Sequence, residues 1–367
     1  MKVISRTRYC FVQCLVFSFC ITSCFNKTES PQTISIQWKD SLATGFIFSK
    51  EWFSDVPVDS LESALSIHVI QQGNQPPVFG DYLLLEEIVV FQPLVPFTRG
   101  LLYDIRVRGQ SIDSIKIPPS DSRNAPEVLS AFPTQDTVPN NLLKVYLHFS
   151  KPMREDAPLR HVVLIHNQMD TLPDVFLDLQ PALWNKEGTL LTLWIDPGRV
   201  KRDPQPNQNI GPPLQKDEVY TLFIKNDWEA RDGSFLKRPF RKEFVVGARD
   251  SISPEPDSWT LEKPQAGTRN ALKVKFHESQ DYVVLKEAVH FRSMNGNISG
   301  EITLGGEESM VTFIPLTEWE SGDYFLECES RLEDLAGNNL NRLFDRDITL
   351  EKFRSEKEHY RIKFSIN

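Results

Sequence analysis

The stretch "NNLLKVYLHFSKPM", residues 140–153, decides the fold. Leu143, Val145, Leu147 and Phe149 alternate with Lys144, Tyr146 and His148, a period of two that predicts a strand with one buried face and one wet face. "RNALKVKFHESQDY" (269–282) repeats the pattern. A second element also recurs. Residues 80–107 and 300–329 each run from a glycine through a strand-like segment to Phe-x-Pro, then to an aromatic, a glycine and a tyrosine. Pro93 precedes Gly100, and Pro315 precedes Gly322, by seven positions in both copies. A middle copy carries Trp194, Pro197 and Tyr220, with an insertion between them. Repeats of this size are whole domains, and three follow: 33–118, 125–248 and 254–367. The junctions 117–127 and 247–258 are rich in Pro, Ser, Asp and Gly, as linkers are. Short strands bounded by turn residues, with abundant Phe (24) and Pro (25) and no helical pattern of useful length, make the chain all-β and its domains sandwiches.

The longer stretch "AFPTQDTVPNNLLKVYLHFSKPM" resembles the opening of bacterial Ig-like domains of the S-layer-protein type. The matching positions are Pro133, Val138, Pro139, Phe149, Ser150, Pro152 and Met153. The closing turn of that family is matched by "LEDLAGNNL" through Asp334, Gly337 and Asn338, and more weakly by "EARDGSFL". The likeness is good for the second domain, fair for the third and poor for the first, a divergent copy without a clear opening strand. It implies three tandem Ig-like β-sandwich domains. It also implies a surface, adhesive or spacer role, since these motifs mark fold and not activity.

Four of the five cysteines lie in the first 24 residues. A basic opening (Lys2, Arg6, Arg8) precedes an apolar run, Cys10 to Ile21, too short for a comfortable bilayer span. The run ends in Ile21-Thr22-Ser23-Cys24, which resembles the bacterial lipobox. That resemblance implies a lipoprotein signal peptide over 1–23, lipidation of Cys24 and a polar tether over 24–32. Position 25 is Phe and not Asp, which by the same resemblance favours the outer membrane of a Gram-negative cell. Multiple acyl chains give the stable anchoring that one chain does not. Cys328 is then the one free thiol, so cores and not disulfides must hold the exported chain. The net charge of −9 argues against a nucleic-acid partner.

Motifs that carry chemistry are scarce. His161 and His166 stand at an odd offset and fall on opposite faces of a strand, so they cannot share a metal. No nucleophile elbow, P-loop or dinucleotide glycine pattern occurs. Glu86-Glu87 and Glu307-Glu308 read as solvated turns. Asp232 and Asp334 read as turns completed by Gly233 and Gly337, without the oxygen density calcium needs. No catalytic residue, metal or cofactor is therefore assigned. The seven tryptophans read as packing, with Trp319 and Phe97 as a repeated plug. Asp followed by Ser or Thr and then an aliphatic, at Ser41, Ser60, Ser114, Thr137, Thr171 and Ser251, fits either O-glycosylation or ordinary turn chemistry.

The insertion 196–218 is the most distinctive loop. Arg199, Lys201 and Arg202 are its candidate partner-binding residues, with a domain-packing loop as the alternative. The expectation is a non-enzymatic, lipid-anchored envelope protein that binds or positions an envelope protein or glycan. An accessory glycan- or polymer-binding lipoprotein is the second reading. A hydrolase with a site assembled from distant loops is the third, because spacing alone is blind to such a site.

Overall fold

The computed structural model describes residues 34–39, 42–54, 56–57, 60–70, 76–119, 122–202, 204–345 and 356–367. The signal peptide, the tether, Cys24 and Ser41 lie outside the described residues.

The strands form antiparallel sheets in pairs, and the strand order within each pair defines the fold. In the first pair, Ser35–Lys39, Leu42–Ser49, Ile88–Pro93 and Gly80–Leu84 lie side by side; Leu65–Val69, Leu102–Val107 and Gln110–Lys116 make the facing sheet. Counted along the chain, that order is 1-2-5-4 against 3-6-7. The last pair repeats it. Thr260–Glu262, Leu272–Lys275, Met310–Pro315 and Gly300–Gly305 face Val289–Ser293, Gly322–Glu329 and His359–Ile366, with a short Gly296–Asn297 added at the edge. The middle pair has the same frame: Val128–Phe132, Lys144–Phe149, Leu190–Trp194 and Leu183–Trp184 against Val162–His166, Val219–Ile224 and Phe240–Gly247. Two further edge strands, Asp170–Leu172 and Thr137–Pro139, extend it, the latter pairing parallel to Phe240–Gly247. Four strands against three in this order is the immunoglobulin arrangement. The chain is all-β and Ig-like, with a first copy as regular in topology as the other two, including the opening strand Ser35–Lys39 that the sequence did not make clear.

Each pair of sheets encloses its own core. Phe46, Phe91, Phe97 and Tyr103 centre the first, Phe149, Leu147, Tyr220 and Trp228 the second, and Phe291, Phe313, Trp319 and Leu326 the third. The repeated sequence elements superpose in register. Gly80 pairs with Pro93, and Gly300 pairs with Pro315. Both glycines are required by space: a Cβ on Gly300 would lie 2.4 Å from a Phe313 ring carbon and 2.5 Å from the Ile314 carbonyl oxygen. Phe97 and Trp319 both plug their cores, as their shared position predicts.

A tyrosine corner recurs in all three copies. The hydroxyls of Tyr103, Tyr220 and Tyr324 accept hydrogen bonds from the backbone N–H of Thr98 (2.9 Å), Gln215 (2.9 Å) and Glu320 (3.1 Å). The ring fills the core while its hydroxyl ties down the loop entering the sixth strand.

One expectation is corrected in this frame. Along Lys144–Phe149 the apolar face is buried as predicted, but the opposite face is not wet. Tyr146 is only 4% exposed and the Lys144 side chain 10%. Period two identified a face that avoids its own core; it could not show that a second sandwich covers it.

Candidate functional site

The polar face of Lys144–Phe149 forms the centre of a seam between the second and third sandwiches. Tyr146 donates its hydroxyl to the Asp281 carboxylate, with both oxygens in range (2.8 and 2.7 Å). Lys144 bridges Asp281 (3.3 Å) and Glu333, and its ammonium lies 4.8 Å from the Trp194 ring centroid. Asp281 also caps the helix Tyr282–Ala288, accepting from the N–H groups of Val283 (3.1 Å) and Val284 (3.0 Å). Burial pulls the Lys144 ammonium toward neutrality, but the two carboxylates outweigh it and hold the group charged. Burial, then the Asp281 charge, pushes the Tyr146 phenol well above its ordinary range, so it stays protonated and donates.

The seam continues on either side. Phe132 stacks on Tyr282 with ring centroids 3.5 Å apart. Glu308 accepts from the Thr134 N–H and hydroxyl, both at 2.8 Å. The sequence placed Glu307-Glu308 in a solvated turn; the turn exists, with both residues at positive φ, but Glu308 is 4% exposed and pins the two sandwiches together. The 334–338 turn docks likewise. The Leu143 N–H donates to the Leu335 carbonyl across the seam (2.9 Å), and a Cβ on Gly337 would lie 2.5 Å from Leu143. Gly337, at φ +80°, therefore serves a close approach as well as a left-handed turn.

The insertion 196–218 folds into two short helices, Pro197–Val200 and Gln205–Ile210, pinned to the second core by buried Val200 and Leu214. Its three candidate residues do not converge. Arg199 bonds within the second sandwich, to the carbonyls of Gly211 and Asp174 (both 3.3 Å). Lys201 lies over the Phe344 ring, and Arg202 meets Asp345 at 3.0 Å, a carboxylate that Arg249 also binds. The loop thus packs against the third sandwich. Among the tryptophans, Trp228, Trp259 and Trp319 are buried, and only Trp38 exceeds the exposure of a half-buried residue, with Arg99 4.7 Å over its ring.

Beside the seam lies an arrangement that the sequence did not suggest. Asp250, Glu278 and Asp334 each place a carboxylate oxygen within 4.8 Å of the others. They come from the linker, the loop between the strand Leu272–Lys275 and the helix Tyr282–Ala288, and the 334–338 turn. Asp250 is positioned by Asn141, which accepts from its N–H (2.9 Å) and donates to its carbonyl (2.8 Å). Asp334 accepts from the N–H groups of Ala336 (2.8 Å) and Asn338 (3.0 Å) and from the Asn338 amide (2.8 Å). Burial, with the Asp250 charge second, raises the Glu278 carboxyl to about 7 and that of Asp334 to about 8. Successive acids stand 28 and 56 positions apart, so spacing carries no sign of the cluster; only Asp334, in its Asp-x-x-Gly-Asn turn, stands out in the sequence.

No protein-family model and no curated protein matches the chain. Solved structures do. The N-terminal part of the bacterial S-layer protein SbsC is 13% identical over 56% of this chain and 41% of its own, with a TM-score of 0.25. The MG0-NIE-MG1 domains of Escherichia coli alpha-2-macroglobulin give 11% identity over 55% and 66%, TM-score 0.23. The titin Ig tandem A164-A165 gives 9% over 66% and 95%, TM-score 0.19. The chain spans less than half the length of the S-layer chains it matches. The Ig-like fold itself is defined by the strand order above.

Proposed function

We propose that the protein is a non-enzymatic, lipid-anchored scaffold of the cell envelope, tethered through Cys24 and presenting its Ig-like sandwiches at a fixed geometry. One observation carries the reading: the ionisable groups at the centre of the seam are spent on structure. Lys144, Tyr146, Asp281 and Glu333 would make a plausible acid–base constellation in a cleft, yet here they satisfy one another across a buried seam. A buried, fully connected polar network fixes relative orientation more than it adds stability. Such a seam suits a spacer or positioning module. The lipobox resemblance and the S-layer-type motifs supply the envelope setting.

Two experiments test it. Cys24→Ala is expected to release the protein from the membrane fraction or leave it unprocessed; unchanged acylation and anchoring would remove the lipid assignment. Photo-crosslinking in native membranes is expected to trap a protein or glycan neighbour. Repeated failure to trap either would count against a positioning role.

A further inference from the structure

We propose that Ser114, Thr137 and Thr171 are O-glycosylation sites, each displayed on an edge strand to one sugar-transferring enzyme. Composition alone would place about one Asp-Ser/Thr-aliphatic triplet in the chain, and six occur. Ser41 lies outside the described residues. Turn chemistry accounts for one of the others: Asp250 accepts from the Ile252 N–H (3.0 Å), closing an ordinary Asx turn around Ser251. Ser60 stands before the short helix Leu61–Ala64. Turns do not account for the remaining three. Ser114 lies within Gln110–Lys116, Thr137 opens Thr137–Pro139, and Thr171 is the middle residue of Asp170–Leu172. Each of these strands forms an edge of its sheet.

The three triplets are presented alike. The aspartate and the hydroxyl residue are exposed, and the aliphatic residue after them turns inward: Val138 is buried, and Ile115 and Leu172 pack against the first and second cores. Alternation along a strand fixes this, since an aliphatic residue facing the core sends the residue before it outward. Among the described residues, none of the three hydroxyls takes part in a hydrogen bond, whereas those of Ser63, Ser258, Thr268 and Ser309 each close a local turn. An edge strand also leaves backbone groups unpaired, so an enzyme can bind it as an added strand through the same contacts at all three places. The adjacent carboxylate decides the class of group. A phosphate would set up to about two negative charges beside an aspartate at every site, whereas a neutral sugar adds none. In the transfer, the hydroxyl oxygen attacks the anomeric carbon of a sugar carried on a lipid pyrophosphate. The new C–O bond forms as the bond from that carbon to the pyrophosphate breaks. The pyrophosphate leaves with the electron pair, and the hydroxyl proton passes to a base of the enzyme. A sugar on each edge would also keep the sandwiches from pairing edge to edge. The sites rest on the strands themselves; only the placement of the transfer in the envelope, with a lipid-carried donor, rests on the export reading above.

The test is mass spectrometry of the full chain, extracted in detergent from the cells that make it, with sites assigned by electron-transfer fragmentation of its peptides. Mass increments of whole sugar residues are expected on Ser114, Thr137 and Thr171. Asp113→Asn, Asp136→Asn and Asp170→Asn each keep the hydroxyl and are expected to abolish the increment at the neighbouring site, leaving the other two unchanged. Thr303 is the internal control. It is exposed on the edge strand Gly300–Gly305 and precedes Leu304, but Ile302 and not Asp stands before it, so it is expected to stay unmodified. The chain without residues 1–23, made in the same cells, is expected to carry no sugar. Unmodified Ser114, Thr137 and Thr171 in the full chain would overturn the proposal. Sugar on Ser251 alone would overturn edge strands as the feature that is read. Sugar on Thr303, or sugar retained in all three aspartate variants, would overturn the part given to the aspartate. Phosphate-sized increments would overturn the sugar assignment, and sugar on the chain without residues 1–23 would overturn the envelope donor.

Discussion

At the scale of the residue, the tyrosine corners show how one side chain can be read twice. The recurrent tyrosine was visible as part of a repeat, but its purpose lies in the hydroxyl. Tyr220→Phe keeps the ring in the core and strips the Gln215 N–H of its acceptor. A loss of about 1 kcal/mol is expected by denaturant unfolding; no loss would show that water replaces the hydroxyl. Cys328 is fully buried, and burial first, then the Glu327 charge, pushes its thiol far above the ordinary range. Thiol reagents should therefore leave it unmodified in the native protein and label it fully on unfolding. Glu308 carries a pH signature. Burial raises its carboxyl by more than the Thr134 hydrogen bonds and the Lys242 charge lower it, with Glu307 adding to the rise. A carboxyl held above its unfolded value binds more protons folded than unfolded, so its contribution is full below about pH 4.5 and is lost as pH rises through the folded value. Glu308→Gln should flatten that part of the stability–pH curve; an unchanged slope would place the effect elsewhere.

At the scale of the element, the strand Lys144–Phe149 separates what sequence can and cannot reveal. Its apolar face was legible because burial against its own core imposes alternation. The seam on its other face was not, because a lysine and a tyrosine that meet partners 135 and more positions away look like any solvated pair. The Glu308 turn and the carboxylate cluster were missed for the same reason: their partners are set by how sandwiches dock. The glycine-to-proline repeat was legible because the pairing of Gly80 with Pro93 and of Gly300 with Pro315 leaves no room for a side chain. Gly300→Ala should cost about 1–3 kcal/mol through overpacking against Phe313, measured on the unfolding of the third sandwich. Asp281→Ala removes a helix cap and deprives Tyr146 and Lys144 of a buried partner at once. The expected cost is about 3–5 kcal/mol. A cost near that of a surface change would mean the network contributes little.

At the scale of the molecule, the seam between two of the Ig-like sandwiches sets their relation. The second and third share aromatic stacking, buried ion pairs, a backbone hydrogen bond and the insertion 196–218, so a spacer role predicts that they move as one body. That fixed relation is the central claim, and one measurement tests it most directly. Met169 and Met294 are strongly exposed, on the second and third sandwiches respectively. Spin labels at Met169→Cys and Met294→Cys, with the buried Cys328 left unlabelled, report their separation by pulsed electron resonance. A single narrow distance distribution is predicted, broadened when Asp281→Ala is added. A broad distribution in the otherwise unmodified chain would contradict the account.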